Sequence, residues 1–204
     1  MIRAELKAQA KAQLKGNVGM LFLCSLIVYA ISFICCMIPV VGAIASLIIT
    51  PALSIGLFLV YLDLSKSLDT HVSRLFDGFQ YWGKALWLMI LISVFTFLWA
   101  LLLYVPGIIK AISYSMSYYI LAENPEMTAR AALNESKEIM HGHKMEYFVL
   151  GLSFIPWVLL VAITFGIAAI WVIPYMQLTI TNFYNNIKRQ KEVTPVENFA
   201  GEFR

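Results

Sequence analysis

Residues 18–62 read VGMLFLCSLIVYAISFICCMIPVVGAIASLIITPALSIGLFLVYL, without one Asp, Glu, Lys, Arg or His. A charge at the centre of a bilayer costs about 2.5–3.5 kcal/mol on the mildest scales, so a run this long and bare reads as membrane-embedded. The same bareness recurs over Ala85–Ile109, Ala111–Ala122 and Tyr147–Ile187. Between these runs lie four segments that hold nearly every ionisable side chain. Composition agrees: 60% of the 204 residues are apolar and 13% charged, against about 45–50% and about 25% in soluble domains. Mean hydropathy is +0.76.

About 20 apolar residues cross ~30 Å of hydrocarbon, so the long runs must be divided. Pro39–Gly42 separates Val18–Ile38 from Val41–Leu62. Pro106-Gly107 separates Ala85–Val105 from Ile108–Leu121, and Gly166 separates Tyr147–Phe165 from Ile167–Tyr184. The expected fold is all-α and polytopic, with six transmembrane helices in three hairpins that turn at short uncharged corners. The N-terminal charged part is too long for a signal peptide, and it reads as the lead into a retained span. Residues 1–187 form one six-helix membrane domain, and residues 188–204 a flexible cytoplasmic tail.

Of the 15 basic residues, all but Lys110 fall in the first tail, the 63–84 and 122–146 loops and the last tail. The positive-inside rule places these segments, and both termini, in the cytoplasm. The three units look alike. Each has an amphipathic segment ending near Gly16, Gly78 or Gly142, 62 and 64 residues apart, followed by a hairpin with its corner at Gly42, Gly107 or Gly166. Pro51 and Pro174 hold matching points in the first and third hairpins, where the second has Ser115 and Met116. The pseudo-repeats run roughly over 1–63, 64–124 and 125–187. They enter from one side and are parallel.

Each lead-in segment reads as an interfacial amphipathic helix. In the first, Ile2, Leu6, Ala10 and Leu14 flank a stripe of Arg3, Lys7, Lys11 and Lys15, a pattern suited to anionic lipid at about 1 kcal/mol per basic residue. In the second, Val72, Leu75, Phe76 and Phe79 follow the α-helical i, i+3, i+4, i+7 template. In the third, Leu133, Ser136 and Met140 share a face, Thr128 is the expected N-cap and Gly142 the stop. These helices serve either to lead the chain into the bilayer or as a collar that binds lipid or a soluble partner.

Lys110 lies three residues past the Pro106-Gly107 corner. Its stem either snorkels to the outer headgroups or points into the bundle, where Ser113, Tyr114 and Ser117 share its face. The fourth span covers only ~21 Å and is rich in Ser and Tyr. The sixth carries Gln177, Thr179, Thr181, Asn182 and Asn185. Both are expected to form the polar inner surface, as interhelical glue or as the lining of a path. His141, His143, Glu138 and Glu146 match no zinc spacing, and no metal or other cofactor is expected. Cys24, Cys35 and Cys36 lie in the first apolar run, where a disulfide framework is not expected. No phosphate loop, HExxH or paired intramembrane carboxylate appears. No basic block suits nucleic acid at a net charge of +3.

Several stretches carry a resemblance: Leu14-Lys15-Gly16-Asn17, Leu75-Phe76-Asp77-Gly78-Phe79, the run Pro106-Gly107-Ile108-Ile109-Lys110-Ala111-Ile112-Ser113-Tyr114-Ser115-Met116, Glu123-Asn124-Pro125, and Ser136-Lys137-Glu138-Ile139-Met140-His141-Gly142-His143-Lys144. Over about residues 3–188 the chain resembles a bacterial membrane family, the domain of unknown function 975, common in Gram-positive bacteria. The resemblance implies a bacterial cell membrane and no known activity. Members often carry an acid three residues after the capping Ser or Thr, where this chain has Ala131. In layout the family is similar to the membrane domain of some glycerophosphodiester phosphodiesterases. The expectation is a non-enzymatic scaffold or accessory component that binds lipid, a partner protein or a second copy of itself. The alternative is an uncoupled transporter or channel for a small solute or lipid, with its path between helices four and six. No Asp, Glu or His lies in a span to relay protons.

Overall fold

The computed structural model describes the backbone of residues 3–102 and 104–201, with their side chains apart from residues 3, 36, 39–41, 43–44, 99–102, 104–106 and 192–201. All regular structure among the described residues is helical. Helix α1 (Arg3–Leu14) ends at Gly16, whose φ of +95° is the left-handed stop expected of a glycine. Helix α2 (Val18–Met37) then meets Ile38, extended at φ −109°, ψ 102°, and Pro39 opens α3 (Pro39–Ser65). Proline at the first helical position lacks only an N–H that would go unused.

A 3₁₀ segment (Val72–Tyr81) runs directly into α4 (Trp82–Leu102). At 3.0 residues per turn, positions three apart eclipse. Leu75 and Gly78 therefore face inward on α3, with Val72 and Tyr81 in the same row. This corrects the α-helical template for the segment: Phe76 is turned outward, 47% exposed, and stacks on exposed Phe79 at 6.4 Å. Gly78 is likewise not a helix stop. A Cβ there would overlap the Ala52 carbonyl oxygen, and one on Gly56 would overlap the Leu75 carbonyl. The two glycines let two backbones touch.

Helix α4 is followed by α5 (Tyr104–Tyr114), which holds Pro106-Gly107; residue 103 between them lies outside the described residues. The helix breaks at Ser115-Met116 before α6 (Ser117–Glu123). Pro51 and Pro174, by contrast, lie inside helices that continue through them, α3 and the last helix. Helix α7 (Ala129–Ile139) starts on Thr128, whose Oγ1 accepts from Ala131 N–H at 3.2 Å, and ends before Gly142 at φ +86°. Both the cap and the stop fall where expected. Helices α8 (Lys144–Leu152) and α9 (Ile155–Ile163) are separated at Ser153-Phe154, ahead of Pro156. The last corner turns through Phe165 (φ +51°) and Gly166 (φ +90°). Helix α10 (Ala169–Gly201) continues through Ile187, where the membrane domain was expected to end.

Among the described residues, four stretches are long and apolar enough to cross a membrane: Val18–Cys35, Ala45–Ser65, Val72–Leu98 and Lys144–Ile163. They carry large apolar side chains outward, Phe97 at 67% exposure among them, as a lipid-facing surface does. The third corner is uncharged and equally greasy, with Phe165 98% exposed. It closes its own hydrogen bonds: Gly166 N–H donates to Val161 at 2.9 Å, and Thr164 Oγ1 accepts from Ala168 N–H at 3.1 Å. Gly166 and Pro174 meet Phe22 and Tyr29 across a cleft. Helix α2 continues to Met37, about 12 Å past Tyr29, so the Gly166 corner lies alongside the body of α2 rather than its end.

The three lead-in segments pack along the bundle. The 3₁₀ segment lies on α3, α7 on α4, α5 and α6, and α1 on α10. Leu6, Ala10 and Leu14, expected to meet lipid, are buried inside the protein. Ala10 and Leu14 pack with Leu21, Cys24, Val60, Tyr61 and Leu178. Leu6 joins the larger core, built on Ile55, Leu88, Met116, Tyr119, Leu133, Leu150 and Tyr184.

Candidate functional site

Polar residues of α5, α6 and α10 lie inside the bundle, with Ser113 bonded towards α7 and Asn182 towards α1. Ser113, Ser117, Thr179, Thr181 and Asn182 are buried. Most of their bonding capacity is used by helix packing. Ser113 and Thr181 hydroxyls donate to their own helix, to Ile109 and Gln177 carbonyls at 2.8 Å each. The Ser113 carbonyl in turn accepts from Ser136 Oγ on α7 at 2.8 Å. Tyr119 OH donates to Gln177 Oε1 at 3.4 Å. Asn182 Nδ2 donates to Gln13 Oε1 at 2.9 Å, Gln13 Nε2 to the Ser65 carbonyl at 3.1 Å, and Asn185 Nδ2 to Ser65 Oγ at 2.7 Å. This chain ties α1, α3 and α10 together. Ser117 Oγ is the exception, a buried hydroxyl without a hydrogen-bond partner.

Tyr114 is buried too, and its ring meets the Lys137 ammonium at 5.5 Å, as does the Phe95 ring at 5.9 Å. Burial first, then repulsion from Lys110 and Arg130, push the Lys137 pKa down. Lys110 thus stands within electrostatic reach of Lys137 on α7. Of the basic stripe on α1, Lys7 Nζ donates to the Ser153 carbonyl at 3.2 Å and sits 5.0 Å from the Phe154 ring centroid. That carbonyl is available because α8 ends there. Lys11 and Lys15 are exposed, and the Arg3 side chain lies outside the described ones.

Sequence reading missed the best-knit charge cluster. Glu123, 16% exposed at the end of α6, accepts from Lys188 Nζ at 2.7 Å, from Tyr184 OH at 2.8 Å and from Lys66. Burial pushes this carboxyl up, but the hydrogen bonds from Lys188, Lys66 and Tyr184 outweigh it and hold the pKa down to about 2. A depressed carboxyl contributes stability that is complete above its unfolded value near 4.5 and lost as pH falls towards 2. The thermal midpoint in detergent is expected to drop over that window by the equivalent of about 2 kcal/mol, the half-exposed lysines screening the rest. In Glu123→Gln this part of the pH dependence disappears. Elsewhere in the cytoplasmic segments His143 pairs with Glu146 at 3.2 Å, while Glu138 meets Lys191 at 3.2 Å.

Two grooves flank the bundle. One of about 490 Å³ between α4 and α5–α6 is lined by Ser93, Thr96, Tyr114, Ser115 and Tyr118. The other, about 410 Å³, opens between α1, α9 and α10 and is lined by Lys7, Lys11, Trp157, Trp171 and Tyr175. The aromatic residues of this second groove were not singled out from the sequence. Their only signal was two tryptophans flanking the Gly166 corner.

The family described as Protein of unknown function (DUF975) is matched over residues 1–113 and 101–191. No curated protein and no solved structure matches the chain. Nearly the whole chain is covered by the family match, and the protein belongs to the DUF975 family.

Proposed function

We propose that this protein is a non-enzymatic scaffold or accessory component of a bacterial cell membrane, holding lipid or a partner protein. Its six membrane helices form three hairpins entered from the cytoplasmic side, where both termini lie. The observation that carries the reading is the inward bonding of the polar residues on α10: Asn182, Asn185 and Gln177 join helix to helix, and the Thr181 hydroxyl bonds back to its own helix, instead of facing an open route. The threefold layout is supported by pairing. The 3₁₀ segment rests on α3, α7 on α5 and α6, and α1 on α10, so each lead-in covers the helix that ends the preceding hairpin, and the first covers the last. The self-bonded corner at Gly166 suits a turn immersed in hydrocarbon.

A second reading, uncoupled passage of a small solute or lipid, is favoured by Ser117 Oγ and Thr96 Oγ1. Both are buried without hydrogen-bond partners, and Thr96 lines the groove beside α5. Reconstitution into liposomes separates the two. The scaffold reading expects solute flux and lipid scrambling at the level of empty vesicles, unchanged by Ser113→Ala/Ser117→Ala. Flux above that level that the double substitution abolishes would replace it with the transport reading.

A further inference from the structure

We propose that the groove between α1, α9 and α10 is a binding site for one anionic phospholipid, with the phosphate held at Lys7 and Lys11 and an acyl chain laid along Trp157 and Trp171. This rests on the membrane reading above and gives it a ligand class.

The argument starts from spacing. Ala4, Lys7, Ala8 and Lys11 lie on one face of α1, and all four line the groove. The alanines keep the floor low, and the lysines supply two cations of like sign one turn apart. Lys7 is fixed in place by its bond to the Ser153 carbonyl at 3.2 Å and by the Phe154 ring at 5.0 Å. An ammonium carries three donors, so this seat orients the group as well as holding it. Lys11 is exposed at the mouth, and among the described residues no carboxylate lines the groove. An anion is the complement of such a site.

The opposite wall is aromatic. Trp157 packs on Tyr175 with ring centroids 5.3 Å apart, and Trp171 stands 59% exposed beside them. Indole rings favour the level where headgroup meets chain. The hairpin that carries these rings also exposes Val158, Leu159, Ile163 and Phe165, a surface for hydrocarbon rather than for a water-soluble ion. Inorganic phosphate would satisfy the lysines and leave this wall unused, so the amphiphile is the occupant both halves fit.

Quenching of the two groove tryptophans tests the site. A Trp82→Phe/Trp87→Phe/Trp99→Phe background keeps Trp157 and Trp171, and is reconstituted with brominated phosphatidylglycerol or brominated phosphatidylcholine at equal mole fraction. Stronger quenching by the anionic lipid is expected, with a relative affinity of about fivefold per lysine at low salt. Lys11→Gln, an exposed change, is expected to lower that preference about fivefold, and Lys7→Gln/Lys11→Gln to bring it close to one. Equal quenching by both lipids overturns the groove and leaves the membrane reading intact. A preference that survives the double substitution also overturns it. Quenching by neither lipid overturns both readings.

Discussion

Gly78→Ala separates the 3₁₀ segment from α3 and costs about 3 kcal/mol or more. The added methyl has nowhere to go, because what it overlaps is backbone: the Ala52 carbonyl oxygen, with Gly56 N and Cα next to it. Side chains can rotate away from an intruder, whereas a packed helix must move as a whole, so the cost belongs at the upper end for overpacked cores. Leu75, fully buried one 3₁₀ turn earlier, is levered out with it. The thermal midpoint of the purified protein in detergent reads the effect. Gly83→Ala is the companion measurement: a Cβ there meets nothing within 4 Å, and the substitution is expected to be neutral or stabilising by up to about 1 kcal/mol. Similar midpoints for the two variants would mean that the glycine contact does not hold these elements together.

Ala10→Asp is expected to detach α1. Ala10 is fully buried among Leu21, Val60, Tyr61 and Leu178, which offer a carboxylate at most the Tyr61 hydroxyl and no cation. An unpaired buried charge costs several kcal/mol, about 3 or more here, and swinging α1 into water relieves it. Gln13 would then leave Ser65 and Asn182, and Lys7 would leave the Ser153 carbonyl. Limited trypsin digestion detects this as rapid cleavage after Lys11 and Lys15 while the hairpins persist. Ala12→Asp, on the exposed side of the same helix, leaves the cleavage rate unchanged. Equal rates in the two variants would show that α1 is not seated on α10.

The absence of charge over residues 18–62 made the greasy helices readable, because hydrocarbon excludes ionic groups wherever the chain enters it. The stops at Gly16, Gly142 and Gly166 were readable for an equally local reason: each glycine takes a positive φ. What escaped was the meeting of distant elements. Phe76 and Phe79 fit an α-helical face, but tight contact through Gly56 and Gly78 holds that segment at a three-residue period and turns both rings outward. Glu123, though part of the Glu123-Asn124-Pro125 stretch, offered no signal of its ion pairs, since its partners Lys66 and Lys188 lie far away on either side in sequence. Ser136 did offer one. A hydroxyl between Leu133 and Met140 on an otherwise apolar face predicts a buried acceptor, and the Ser113 carbonyl provides it.

The seat of α1 on α10 has a consequence for biogenesis. The ribosome delivers α1 well before α10, the surface that it fits. Until then Leu6, Ala10 and Leu14 lack their native cover, and the membrane surface is the nearest substitute. Assembly therefore finishes as a ring closes, with the earliest segment locking in behind the latest. Release of a nascent chain short of α10 would leave its beginning, as well as its end, open to proteolysis.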